Sequence, residues 1–150
     1  MAHTYLTIFL FIMFTSSASP SVIDKLAWIF LKDREILMAR SRNRSTFYIP
    51  GGKRETEESD AQALTREIQE ELSVILLPES LKLAGTFQAQ AHGQPEGVEV
   101  RMTCYFADYQ GELQAAAEIA EIDWFTYEKI SEVGPVDQII FNWLREQGVL

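Results

Sequence analysis

Gly52-Lys53-Arg54-Glu55-Thr56-Glu57-Glu58-Ser59-Asp60-Ala61-Gln62-Ala63-Leu64-Thr65-Arg66-Glu67-Ile68-Gln69-Glu70-Glu71-Leu72-Ser73-Val74 is the stretch on which the reading of this chain turns. Its second half predicts a helix over residues 59–72. Ser59 is a capping residue, and Gln62, three positions on, completes a capping box. Ala61, Leu64, Ile68 and Leu72 recur at helical spacing and form an apolar stripe. Glu67, Glu70 and Glu71 lie three and four positions apart, so they crowd one side of the helix, and each like-charged pair costs roughly 0.2–0.5 kcal/mol. Glu70 and Glu71 also fall in the last turn, where the helix dipole disfavours anions. Two local rules are broken together, as happens at functional sites. A hard divalent cation such as Mg²⁺, which takes carboxylate, carbonyl and water oxygens, would turn the repulsion into binding. On spacing alone a solvated acidic helix face accounts for the pattern equally well.

Working outward, Pro50-Gly51-Gly52 is read as stopping a short strand over Phe47, Tyr48 and Ile49. Before it, residues 23–31 and 36–39 are apolar and predict a hairpin turning at Asp33-Arg34, and residues 41–46 predict a basic loop. After the helix, residues 81–91 and 98–109 predict a broad hairpin closed by His92 to Gly97. Residues 122–125 predict a short strand. Residues 135–147 predict a last helix with Ile139, Ile140, Trp143 and Leu144 inward. The expected fold is a single α/β (α+β) domain, a mixed sheet with two packed helices.

The chain has 150 residues, and its 22 acids against 13 Lys plus Arg give a net charge of −9. That balance argues against gripping nucleic acid through a basic face. An acidic protein that handles phosphates needs positive charge from elsewhere, usually a divalent cation. A lone cysteine, Cys104, excludes a disulfide within the chain and a cysteine-based zinc cluster. The first twenty residues read differently from the rest. Leu6 to Phe14 is apolar apart from Thr7 and is followed by Ser16-Ser17-Ala18-Ser19-Pro20, which resembles a secretory signal without its basic flank. The run is too short for a membrane-spanning helix, which needs about 20 residues. We treat residues 1–20 as an extension and residues 21–150 as the domain. The extension reads as a signal, as the product of an upstream start, or as a segment packed on the domain; cytoplasm is the expected location, with export the alternative.

The quoted stretch is similar to the Nudix box, Gly-x5-Glu-x7-Arg-Glu-U-x-Glu-Glu-x-Gly-U with U aliphatic. It matches at Gly52, Glu58, Arg66, Glu67, Ile68, Glu70, Glu71 and Val74, and it departs at Ser73, where the family has glycine. Beyond the box the resemblance covers roughly residues 23 to 150. It implies the Nudix fold, a mixed sheet sandwiched between helices, and hydrolysis of a nucleoside diphosphate linked to another group by attack of water on phosphorus. It implies that Glu67, Glu70 and Glu71, with the Gly51 carbonyl, hold Mg²⁺ or Mn²⁺. Glu67 then orients or deprotonates the water, and Glu58 pairs with Arg66 to aim it. Arg40, Lys53 and Gly52 are candidates for the substrate phosphates. Glu118, and less so Glu121, is a candidate further metal ligand in the loop before Trp124.

Other residues take plainer readings: Arg42 and Arg44 as loop charges, His92 as a surface turn residue, and Tyr48, Phe87 and Phe106 as core, with stacking on a base the alternative. Subfamily signatures for ADP-ribose and dinucleoside polyphosphates are missing, because Ala89, Gln90, Ala91 and His92 occupy their positions. The NADH signature is missing too, and Leu37 to Ser41 only faintly resembles that of the coenzyme A group. Elimination leaves a nucleoside triphosphate, of ordinary or modified base, acted on by a monomer or homodimer. Nucleotide sugars, ADP-ribose and dinucleoside polyphosphates are the alternatives. A nucleotide-sensing module without catalysis is the alternative of another class, disfavoured because every box glutamate is present.

Overall fold

The computed structural model describes residues 21–150, so the readings made for Leu6 to Phe14 lie outside the described residues. Strand β1, Ser21–Trp28, is central. Alternation sends its successive side chains to opposite faces. Leu26 and Trp28 enter one core cluster, while Ala27 and Ile29 enter another. Helix α1, Asp60–Leu72, covers the first with Leu64, Ile68 and Leu72. Helix α2, Pro135–Glu146, covers the second with Ile140, Phe141 and Leu144. The sheet is thus sandwiched between helices. Among the described residues no helix is long and apolar enough to cross a membrane.

β1 runs parallel to β7, Val98–Phe106, and antiparallel to β4, Gly51–Lys53. β6, Lys82–Gln90, pairs with β7 as the expected broad hairpin and completes the order β4-β1-β7-β6. A second sheet has the order β2-β3-β9, from Leu31–Lys32, Glu35–Ser41 and Ile119–Phe125. Ile75–Leu76 (β5) and Tyr109–Gln110 (β8) form a small third pair.

Three expectations need correction. The first predicted hairpin shrinks to the β2–β3 contact, because β1 ends at Trp28 and joins a different sheet from β3. Apolar alternation marks both strands but carries no record of partner. Pro50-Gly51-Gly52 does not stop a strand; Gly51 and Gly52 are paired with Ala27 and Leu26, while residues 47 and 48 make only isolated bridges. In α2 the buried face is Val136, Asp137, Ile140, Phe141 and Leu144, and Ile139 is exposed.

The predicted capping box is formed: Gln62 N–H donates to Ser59 Oγ at 3.2 Å, and Ser59 N–H to Gln62 Oε1 at 2.9 Å. At the other end Ser73 is left-handed, with φ 64°. There the loop after β8 folds against the helix: Gln114 N–H donates to Leu72 O at 3.0 Å and Ala116 N–H to Glu71 O at 2.9 Å. These donors satisfy carbonyls that a helix end leaves unpaired. Ser73 Oγ donates to Gln114 O at 3.1 Å, so serine at this position ties the loop down further.

Ser73→Ala is therefore expected to lower stability by about 0.5–1.5 kcal/mol, since it keeps the left-handed strain and loses the hydrogen bond. Ser73→Gly is expected nearer neutral, because relief of roughly 1 kcal/mol of strain offsets the lost bond. Urea midpoints for the two variants check this; an alanine variant as stable as the glycine one would refute it.

Candidate active site

The start of α1 is held by two networks. Arg66 donates to Glu58 through Nε at 2.6 Å and Nη2 at 2.9 Å, and Nη2 also reaches Lys53 O at 3.2 Å. That grip holds the Glu58 carboxyl down at about 2, with the Glu55 N–H assisting. Arg66 Nη1 donates to Glu67 Oε1 at 3.0 Å. Arg66 thus fixes the loop through Glu58 and aims Glu67 with its remaining nitrogen. A few residues upstream, Arg54 bonds Asp60, whose other oxygen accepts from Tyr105 Oη at 2.5 Å.

Glu67 and Glu71 sit three residues after Leu64 and Ile68 respectively, so helical geometry turns them toward the sheet. Glu71 is only 7% exposed. Burial pushes its carboxyl up to about 8, the Glu118 and Glu67 charges push the same way, and the Gly51 N–H opposes them. Glu67 is also raised, mainly by burial, with Arg66 acting against it. Gly51 N–H donates to Glu71 Oε2 at 3.3 Å. At Gly52 a Cβ would lie 2.3 Å from Glu67 Cδ, so only glycine lets this backbone approach the carboxylate.

An open cleft of about 460 Å³ joins these groups to the far side of the sheet. Gly51, Gly52, Lys53, Glu67, Glu71 and Glu118 line one part of it. Glu118 arrives because its loop docks on the end of α1, and its carbonyl accepts from Arg42 N–H at 2.9 Å. Two sequence candidates lie elsewhere. Glu70 is exposed, 3.6 Å from Arg66, and Arg40 is paired with Glu121 at 2.9 Å. Among the described residues no three acidic, histidine or cysteine side chains converge as a closed metal cage. The donor chemistry nonetheless suits a hard cation. Glu67, Glu71 and Glu118 are all-oxygen donors that raise one another's affinity for positive charge, and a bound divalent ion relieves that repulsion.

The remainder of the cleft contains residues read otherwise from sequence. Tyr48 Oη and His92 Nδ1 are 2.6 Å apart, and both line the cleft together with Arg44. Asp137 was missed altogether. It is fully buried, accepts from Ile49 N–H at 2.9 Å through Oδ1, and leaves Oδ2 without a partner. Burial lifts its carboxyl to about 7. A signal existed: Asp137 shares the stripe of Ile140, Phe141 and Leu144, and an acid on such a stripe is out of place.

The NUDIX domain model matches residues 24–147. The chain belongs to the Nudix family. Among solved structures, the ORF135 protein of E. coli is 27% identical, with 85% of this chain and 93% of that one covered at TM-score 0.66. A MutT Nudix hydrolase from Burkholderia pseudomallei (19% identity, 81% and 97% covered, TM-score 0.67) shares the fold. So does the MutT protein of Methanosarcina mazei Go1 (19%, 88% and 99% covered, TM-score 0.69). Comparison with curated protein sequences found no match. The mixed α+β architecture and the glutamate-bearing helix are those of a Nudix hydrolase.

The raised carboxyls of this Nudix domain give stability a definite pH dependence in the absence of metal. Glu71 and Asp137 have folded pKa values above their unfolded ones, so between those values the folded state binds more protons. Their contribution is complete at the acid end and lost as pH rises through about 8 for Glu71 and about 7 for Asp137. Unfolding free energy in chelator is expected to fall between about pH 5 and pH 8, by up to about 1.4 kcal/mol per pH unit per group. Asp137→Asn and Glu71→Gln should each flatten the profile of urea midpoints. A rising profile in the parent would contradict the burial reading.

Proposed function

We propose that the chain hydrolyses the diphosphate linkage of a nucleoside triphosphate, of ordinary or modified base, in a reaction that depends on Mg²⁺ or Mn²⁺. The observation that carries this is a single cleft with glutamates and bare glycine backbone at one part, and Tyr48, Met102 and Asp137 at another. The first suits a cation with phosphates, the second a flat base. Glu67, Glu71 and the Gly51 carbonyl are the groups that would hold the cation, with Glu118 beside them, and Glu70 would join them only by leaving Arg66. When bound, it polarises phosphoryl oxygens and lowers the pKa of a coordinated water.

The chain's own residues do the rest. Glu67 is the group to orient the attacking water and accept its proton. Glu58 does not touch substrate; it fixes Arg66, and Arg66 fixes Glu67. Lys53, on the cleft wall, meets phosphate oxygens. Arg40 joins it only by exchanging Glu121 for phosphate, and Gly52 lets the chain approach the substrate closely.

The test is a screen of nucleoside di- and triphosphates, nucleotide sugars, ADP-ribose and dinucleoside polyphosphates with Mg²⁺, reading phosphate or pyrophosphate release. A nucleoside triphosphate is expected to be turned over, and excess chelator to abolish the turnover. Full activity in chelator, or preference for one of the other substrates, would sink the corresponding half of the reading.

A further inference from the structure

Strand β6 forms one edge of the four-stranded sheet. Just past its end Ala91 N–H donates to Val98 O at 2.8 Å, toward β7. Antiparallel alternation therefore turns the backbone groups of Ala89 and Phe87 toward β7 as well, and those of Thr86 and Gln88 outward. Among the described residues no backbone partner meets them there. A bulge between Leu83 and Gly85 leaves Gly85 to Gln90 as a regular, bare edge. Natural sheets guard such edges with charge or proline, and this strand has little of either. It contains no proline, and Lys82 is the one Lys, Arg, Asp or Glu from Ser80 to Pro95, in a chain with 22 acids. The flank of the edge is apolar. Helix α2 packs against β6, where the half-buried rings of Phe87 and Trp143 lie 5.4 Å apart. Ile139, four positions before Trp143 and so its neighbour on the helix surface, is 42% exposed.

We propose that this edge is a dimerisation surface, on which β6 of a second copy of the chain pairs antiparallel about a two-fold axis at Phe87. Thr86 then lies opposite Gln88 of the second copy, and each such pair exchanges two backbone hydrogen bonds. The two four-stranded sheets become one. Antiparallel pairing about an axis perpendicular to the sheet keeps its faces, so both α2 helices fall on one side. Ile139 and Trp143 of each copy then face those of the other across the seam. Charge and symmetry select a second copy as the occupant. At a net charge of −9 two copies repel over most of their surface, and the acid-free edge is where that repulsion is least. A strand edge is also complementary to itself under a two-fold axis, as an interface between identical subunits must be. Thr86, Gln88 and Ile139 do not line the cleft, so this surface is separate from the candidate active site.

The experiment follows the full chain by sedimentation velocity across the micromolar range, beside Thr86→Pro and Ile139→Lys. The parent is expected to pass reversibly from one chain to two as concentration rises. Proline at Thr86 removes an outward N–H without touching the ladder to β7, the position at which an edge strand accepts it. Symmetry doubles the lost hydrogen bond, so the dimer Kd should rise about tenfold or more. Ile139→Lys sets two like charges against each other at the seam and should raise Kd comparably. Its site is exposed, so it carries the test alone if the proline variant shows no urea transition. Amide hydrogen exchange at Thr86 and Gln88 supplies an independent reading, and in the parent it should slow as the dimer forms. A parent that stays a single chain throughout overturns the proposal, as does a dimer whose Kd Ile139→Lys leaves unchanged. Amides equally protected at every dilution would mean that the edge is covered within one chain, for example by residues 1–20, and would overturn it too.

Discussion

Glu67→Gln and Glu71→Gln are each expected to lower kcat by about two to four orders of magnitude, the range for loss of a positioned acid–base group or metal carboxylate. Glutamine keeps size and helix propensity nearly unchanged, so what is removed is charge. The two should part company in stability. Glu71 is buried and its ionisation is opposed, and a glutamine oxygen can still accept from Gly51 N–H. In chelator at neutral pH, Glu71→Gln should therefore unfold at higher urea than the parent. Glu67→Gln also relieves repulsion but weakens the bond from Arg66, so its midpoint should move less. Saturating Mg²⁺ should reverse the order, because a ligand held only by the folded state stabilises the protein that binds it better. A purely structural carboxylate would behave otherwise: its loss would destabilise with or without metal and leave turnover per folded molecule intact. Destabilised, fully active variants would overturn the assignment.

Gly51→Ala and Gly52→Ala are expected to fail in opposite ways, though they are neighbours. A Cβ at Gly51 would lie 2.0 Å from the Leu26 carbonyl oxygen, and its φ is +151°. The obstructing atom is backbone of β1, which cannot move without breaking the β1–β4 pairing. A loss of about 3 kcal/mol is expected. At Gly52 the obstruction is the far end of the Glu67 side chain, which can swing away. Gly52→Ala should fold with a loss within about 1 kcal/mol. It should nevertheless lose about 100-fold or more in kcat, since displacing a catalytic group by about 1 Å has that effect. Urea transitions beside turnover separate the two; an active Gly52→Ala would show that Glu67 does not work where Arg66 holds it.

The capping box at Ser59, the inward residues Leu64, Ile68 and Leu72 of α1 and the shared side of Glu67 and Glu71 were legible because they are local, whereas Glu70 turns outward beside Arg66. A residue's helical neighbours lie three and four positions away, and spacing alone brings them together. The box resemblance added the pairing of Glu58 with Arg66, which the structure forms through paired nitrogens. What alternation could not give was the partner of each strand. The apolar pattern that made β1 and β3 look like a hairpin is satisfied equally well in two separate sheets. Nor could spacing give the contents of the cleft. Glu118 stands 47 residues from Glu71 in the chain and reaches it because unpaired carbonyls at the end of α1 draw in the N–H groups of Gln114 and Ala116. Asp137, Lys25, Tyr48 and His92 come from four separate stretches, and only the packing of α2 and the β6–β7 turn against the sheet puts them in one cavity. The sequence by itself determined which helix carries the charge, through local periodicity. Which distant side chains share that charge was decided by tertiary structure, because burial and the pairing of orphaned polar groups depend on contacts between elements that no local pattern encodes.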